Sequence, residues 1–257
     1  MLFRSALGIA EQGKPSRADI ASFFGMIENI DANVGRLLEK LDDLGIADDT
    51  LVVFTTDNGT AAGGTVFNDG MRGQKGSPYR GGTRVPSFWR WKGTLPAGVD
   101  VPAVTSAIDV LPTLCEIAGA TIPPAVAEKV EGRSLVPLLT DASAAWPDRP
   151  LVTHVGRWDR GRAAESAYRN CRIRAGTWSL VNVKNRPDAW ELYDIAADPG
   201  EKTDLAAVRP DIVKRLAATY DAWWRSVQPD LVNEDRDGPA ENPYATAYRK
   251  QCGPRTP

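Results

Sequence analysis

LVVFTTDNGTAAGG, residues Leu51–Gly64, decides the reading of this chain. Leu51 to Phe54 are apolar, Thr55 and Thr56 are β-branched, and Asp57-Asn58-Gly59 follow at once. A short apolar, β-branched run bounded by Asp, Asn and Gly predicts a buried strand that ends in a turn. Upstream, Ile20, Phe23, Phe24, Ile27, Ile30, Val34, Leu37, Leu38, Leu41 and Leu44 recur at steps of three and four. That period predicts one long amphipathic helix over 18–44. Ser16 or Asp19 suits its start and Gly45 its end. A helix feeding an almost wholly apolar strand is α/β grammar, in which helices cover a sheet. Ligands in such sheets gather beyond the carboxyl ends of the strands, which is where Asp57 and Asn58 stand.

The segment after the strand is rich in glycine and in positive charge. Gly59 to Gly93 holds nine glycines, four arginines and two lysines. Within it RVPSFWRW (84–91) predicts a further strand, and TSAIDVLPTLCEIAGA from Thr105 predicts a helix whose kink or start is set by Pro112. PPAVAEKVEGRSLVPLLTD is a proline-rich connection with a short helix. Near Trp146 the texture changes. RPLVTHVGRW, AYRNCRIRAGTWSLVNVK and AWELYDI alternate and are rich in aromatic and β-branched residues, which predicts antiparallel strands. ADPGEKTDLA is a capped turn, and RPDIVKRLAATYDAWWRSV an amphipathic helix. The expected organisation is an α/β unit over 1–145, a small antiparallel-sheet subdomain with a packed helix over 146–228, and a loosely attached tail over 229–257.

Composition bounds the function. The net charge of −2 gives no reason to expect nucleic acid or an acidic membrane as partner. Cys115, Cys171 and Cys252 make neither a disulfide framework nor a CxxC zinc site. The single histidine, His154, rules out a mechanism needing two histidines from this chain. No run approaches the length of a membrane span, and residues 1–17 contain no signal-peptide core.

Two stretches carry chemistry. Asp57 and Asn58 form either an Asx turn or part of a hard-cation site, since a carboxylate beside an amide carbonyl suits Ca²⁺ or Mg²⁺. MRGQKGSPYRGGTRVP (71–86) is either a solvated basic loop or an oxyanion site. Its glycines admit a ligand close to the backbone, and Arg72, Lys75, Arg80 and Arg84 supply positive charge.

Three separated stretches, in order, resemble the formylglycine-dependent sulfatases, which have an alkaline-phosphatase-like fold. They are ENIDANVGRLLEKLDDLGIADDTLVVFTTDNG, MRGQKGSPYRGGTRVPSFWRWKGTLPAG and ELYDIAADPGEKTDLA, and together they span most of 18–225. The resemblance implies roles position by position. Asp57 and Asn58 would ligate a divalent cation, Ca²⁺ with Mg²⁺ as the alternative. Lys75 would contact the substrate sulfate, with Arg72 beside it, and Arg84 would support the loop. Where the family carries Glu, this chain carries Arg80, which alters the charge near the loop. His154 would be a turn or buried histidine, or a substrate contact from the smaller subdomain.

The resemblance also exposes what the chain lacks. The family's nucleophile is a formylglycine made from Cys/Ser-x-Pro-x-Arg, and no such pentapeptide occurs here. CGPRT at Cys252 has its arginine one place early. The family's paired aspartates and catalytic histidines would precede the long helix. The expectation is therefore a C-terminal part of a sulfatase, inactive alone. The formylglycine would lie in a missing upstream segment, and the parent enzyme would be periplasmic or secreted. The substrate would be a small-molecule or carbohydrate sulfate ester. Two alternatives are a phosphonate or phosphate monoester hydrolase of the same superfamily and a catalytically dead anion-binding remnant.

Overall fold

The computed structural model describes residues 16–61, 63–231 and 241–253. It is α/β. Helix α1 (Arg17–Asp43) begins at Ser16, whose hydroxyl accepts from the Asp19 backbone N–H while the Asp19 carboxylate accepts from the Ser16 backbone. This reciprocal cap satisfies N–H groups that the helix cannot satisfy itself. At the other end Gly45 adopts φ +67°, the left-handed conformation that glycine enters without penalty. The predicted strand is β1 (Val52–Thr55), and RVPSFWRW supplies β2 (Ser87–Arg90). The two pair antiparallel, from Val52↔Arg90 to Thr55↔Ser87. Among the described residues β1 has this one strand partner, and no residue of α1 is buried. Phe24, Ile27, Ile30 and Leu37 of α1, Leu44 just after it, and Phe88 of β2 stay exposed.

Helix α2 (Arg80–Thr83) lies between β1 and β2, and α3 (Val110–Ile117), α4 (Pro124–Ala127) and α5 (Val136–Thr140) come between the sheets. A polar knot joins these pieces. Asp109, fully buried, accepts from the backbone N–H groups of Ser106 and Arg133, both at 2.8 Å, and pairs with the Arg149 guanidinium. Gly132 is needed beside it, because a Cβ there would meet the Ile108 carbonyl oxygen at 1.9 Å.

The second sheet is an antiparallel meander of β3 (Leu151–His154), β4 (Cys171–Ala175), β5 (Trp178–Asn182) and β6 (Glu191–Asp194). Its register explains its two faces. Ile173, Leu180 and Leu192 lie side by side across three strands, and the period of two sends them to one face. Helix α6 (Pro210–Val227) covers that face with Ile212, Leu216, Tyr220 and Trp224, buried residues four apart. Each such side chain contributes about 1.5–3 kcal/mol by leaving water. The other face carries Arg172, Arg174, Ser179, Val181, Glu191 and Tyr193, and it meets the glycine-rich loop. In the polar stretch after 228 a further helix, α7 (Pro243–Cys252), forms where composition gave no signal.

Candidate functional site

The site is built from the backbone outward. Thr55 ends β1 opposite Ser87, so Asp57-Asn58-Gly59 leave the sheet where the glycine-rich loop returns to it. Three hydrogen bonds fasten the two segments. The Gly59 N–H donates to the Gly82 carbonyl at 3.0 Å, the Lys75 N–H donates to Thr60 at 2.9 Å, and the Thr55 hydroxyl donates to Pro86 at 2.8 Å. The approach needs glycine. A Cβ at Gly59 would fall 1.8 Å from the Gly81 carbonyl oxygen, and one at Gly81 would fall 2.2 Å from that of Gly73. The segments that bear Asp57, Asn58 and Lys75, 18 positions apart at the extremes, are thus fastened to each other beyond the end of β1.

Asn58 Nδ2 donates to Asp57 Oδ2 at 2.5 Å, which orients the amide against the carboxylate. Asp57 is exposed and Asn58 half-buried. Their oxygens are the hard donors that Ca²⁺ or Mg²⁺ takes, but they fill two of six or more positions. Among the described residues no cluster of three acidic, histidine or cysteine side chains forms. The pair fits such a cation as part of a ligand set. The Lys75 side chain is exposed on the same loop.

Arg72 reaches toward the second sheet, with 40% of its side chain still open to solvent. Its Nη1 donates to the Tyr193 hydroxyl at 2.6 Å and to the Glu201 carbonyl at 3.1 Å, and its guanidinium lies 3.9 Å from the Tyr79 ring centroid. Both phenols donate to Glu191 Oε2, at 2.6 Å from Tyr79 and 2.7 Å from Tyr193. Burial, then the Glu191 carboxylate, pushes both hydroxyls well above the usual tyrosine range, so they remain donors. Arg80 also turns to the second sheet, donating to the Pro199 carbonyl at 2.7 Å. Arg84 pairs with Asp69 across the loop at 3.3 Å.

His154 stands on the α6 side of the second sheet, the side opposite Arg72 and Tyr79. Its ring centroid lies 4.9 Å from that of Trp224 and 6.0 Å from that of Trp158. Nδ1 accepts from the Gly156 N–H, which leaves Nε2 to donate to the Ser166 carbonyl at 2.9 Å. Burial holds its pKa below the ordinary 6.5.

Sequence reasoning passed over Glu201. It is fully buried with φ +50°. Its Oε2 accepts the Arg80 N–H at 2.7 Å and its Oε1 the Ser179 hydroxyl at 3.0 Å. It fastens α2, and so the loop bearing Lys75, to the second sheet. Its place in ADPGEKTDLA was the available signal, but a turn does not announce a carboxylate aimed at a loop 121 residues away.

Comparisons with known proteins bear on the family and the fold. The family model described as Sulfatase matches residues 6–120, and N-sulphoglucosamine sulphohydrolase, C-terminal, matches 74–219. A sulfatase of Formosa agariphila is 31% identical over 223 residues, 81% of this chain and 40% of that protein. The chain spans less than half the length of this relative and of human arylsulfatase A. The crystal structure of Ps i-CgsB superposes with a TM-score of 0.65 at 24% identity, over 99% of this chain and 58% of that one. The phosphonate monoester hydrolase of Agrobacterium radiobacter gives 0.56 at 27% identity, over 84% and 42%. Two overlapping family matches in the order of the three motifs, on a fold shared with solved sulfatases, place this chain in the sulfatase family.

Proposed function

We propose that these 257 residues supply part of the active site of a sulfuric ester hydrolase. The observation that carries the reading is the fastening of Asp57-Asn58 to the Lys75 loop through Gly59, Thr60 and Gly82. It ties the segment with two hard oxygen donors to the loop with a cation, which supports a reading of hydrolysis of an anionic sulfate monoester. Asp57 and Asn58 would hold a divalent cation, which supplies Lewis-acid polarisation of a sulfate oxygen. Lys75 would bind the sulfate by charge-assisted hydrogen bonds. Arg72 would act from beneath, fixing the loop through Tyr79 and Tyr193, with Glu191 as their shared acceptor. The nucleophile is not among these residues, so polypeptide outside this sequence would provide the formylglycine and the remaining metal ligands. The likeness to a phosphonate monoester hydrolase supports a second reading, a phosphonate or phosphate ester as substrate on the same edge.

The test is metal analysis beside kinetics on nitrophenyl sulfate and nitrophenyl phosphonate, in an enzyme completed by its upstream segment. Asp57→Ala should lose both metal and turnover. Lys75→Ala should keep the metal and lose sulfate binding and rate by roughly a hundredfold or more, the scale of one removed charge-stabilising donor. An Asp57 variant with full metal content and full rate overturns the assignment. The 257-residue chain alone should give turnover no higher than blank.

A further inference from the structure

Asn58-Gly59 is the one Asn-Gly dipeptide in the 257 residues. Asparagine before glycine is chemically labile, because glycine has no Cβ to shield its nitrogen from the neighbouring amide carbon. The fold itself forces this pairing. A Cβ at position 59 would meet the Gly81 carbonyl oxygen at 1.8 Å, so the contact between the two site segments admits nothing larger than glycine there. The residue that makes the contact possible is the residue that makes Asn58 labile.

The same contact withholds the reaction. The nitrogen that would react belongs to Gly59, and its N–H donates to the Gly82 carbonyl at 3.0 Å. A hydrogen-bonded backbone amide gives up its proton to solvent only after the bond opens. The Asn58 amide is restrained as well. Its Nδ2 donates to Asp57 Oδ2 at 2.5 Å, which restricts the rotation that brings Cγ to the nitrogen. Gly82 has little freedom to move off, since a Cβ there would lie 2.1 Å from the Ser77 carbonyl oxygen and 2.6 Å from that of Gln74. The Lys75 N–H, bonded to Thr60 at 2.9 Å, closes the far side. Asn58 is half-buried and Asp57 exposed, so water reaches the dipeptide once it opens.

We propose that Asn58 is a self-modification site guarded by the Gly59–Gly82 hydrogen bond, and that its conversion releases the Lys75 loop irreversibly. On opening, solvent takes the Gly59 N–H proton and the nitrogen attacks Asn58 Cγ. The Cγ–Nδ2 bond breaks, ammonia leaves, and a cyclic imide remains. Water then opens the imide. Attack at Cγ gives aspartate. Attack at the backbone carbonyl carbon of residue 58 gives isoaspartate, in which the chain runs on through Cβ and Cγ. No electrons change hands: the amide and one water become a carboxylate and ammonium. The isoaspartyl chain is one main-chain atom longer just before Gly59. A joint with no room for a methyl group against Gly81 cannot take that extra atom and still return Gly59 to Gly82. This proposal does not rest on the hydrolase reading, and its failure would leave that reading standing.

The experiment ages the full 257-residue chain and a synthetic peptide of residues 55–64 in the same mildly alkaline buffer. Mass spectrometry follows the amide-to-acid mass gain at Asn58, and peptide mapping separates isoaspartate from aspartate. The chain should convert slower than the peptide by roughly tenfold or more, because reaction waits on local opening. Gly82→Ala leaves the dipeptide untouched and overpacks its partner, and should speed conversion by roughly five- to a hundredfold. Thr55→Val removes the hydroxyl bond to Pro86, is safer for folding, and should speed it by roughly two- to tenfold. The isoaspartyl chain, isolated by ion exchange, should show amide exchange in 72–84 faster by roughly threefold or more, for one lost hydrogen bond. Equal rates in chain and peptide overturn the guard, as does an unchanged rate in Gly82→Ala, or in Thr55→Val should Gly82→Ala fail to fold. Unchanged exchange in the isoaspartyl chain overturns the release.

Discussion

Gly59→Ala should pull the two halves of the candidate site apart, and the structure sets the size of the effect. The added Cβ would lie 1.8 Å from the Gly81 carbonyl oxygen, 2.8 Å from its carbon and 3.0 Å from Gly82 Cα. All three are backbone atoms, so no rotamer change relieves the clash. Ordinary contact begins at 3.4 Å, so the segments must separate by about 1.6 Å (3.4 − 1.8). That opens the Gly59–Gly82 hydrogen bond. The loop cannot retreat freely, because Gly82 is itself close-packed on the Ser77 carbonyl and Gly81 on that of Gly73. Overpacking costs about 1–3 kcal/mol, and the lost hydrogen bond about 0.5–1.5 kcal/mol. A local loss of about 2–4 kcal/mol follows, which by 1.4 kcal/mol per tenfold accelerates amide exchange in 72–84 by roughly 30- to 700-fold. Exchange mass spectrometry on wild type and variant measures this directly. Gly25→Ala is the control: it lies on exposed α1 with nothing within 4 Å of the new methyl, and should be neutral or slightly stabilising. Exchange in 72–84 within twofold of wild type for Gly59→Ala would refute the claim that this contact holds the site.

Glu201→Ala should lower stability by about 2–4 kcal/mol, because it leaves the buried Arg80 N–H and Ser179 hydroxyl without their acceptor. Glu201→Gln should recover part of that, and thermal unfolding of the two variants tests the order. His154 has a folded pKa depressed below 6.5, so the unfolded chain binds the proton more readily. Stability should be level above 6.5 and should fall as pH drops from there toward the lower folded value, a slope that His154→Phe flattens in urea titrations. Helix α1 exposes Phe24, Ile27, Ile30 and Leu37 along its length, and Leu44 just after it. Sedimentation velocity of the isolated chain should therefore show concentration-dependent association, and a monomer at every concentration would contradict it.

What was legible in the sequence was whatever rests on local pattern. The 3.6-residue period over 18–44 became α1, with the Ser16–Asp19 cap and Gly45 in their predicted roles. The alternation in CRIRA, WSLVN and ELYD became β4, β5 and β6, and PDIVKRLAATYDAWWRSV became α6. Alternation even separates Cys171 and Ile173 from Arg172 and Arg174, since a period of two leaves no other choice. The DNG and RGQKG stretches stand out because their residue types limit the chemistry open to them, and the fold fastens the two together.

What was not legible is which polar side chain meets which across the chain. Arg72 reads as a sulfate contact because a basic residue stands beside Lys75, yet in the fold its guanidinium is taken up by Tyr79, Tyr193 and Glu201. The partners lie up to 129 positions away, and no local period encodes them. The same holds for Arg80, whose charge looks like a site feature in the linear sequence but is spent on the Pro199 carbonyl. A basic, glycine-rich loop therefore divides its cations by partner. Lys75, flanked by Gly73 and Gly76 at positive φ, is exposed, while Arg72, itself partly open to solvent, and Arg80 reach across to Tyr193, Glu201 and Pro199 and anchor the loop. Arginine suits the anchoring task, since its planar fork serves several acceptors and an aromatic face at once. Lysine suits the open position, as a compact point charge on a flexible stem.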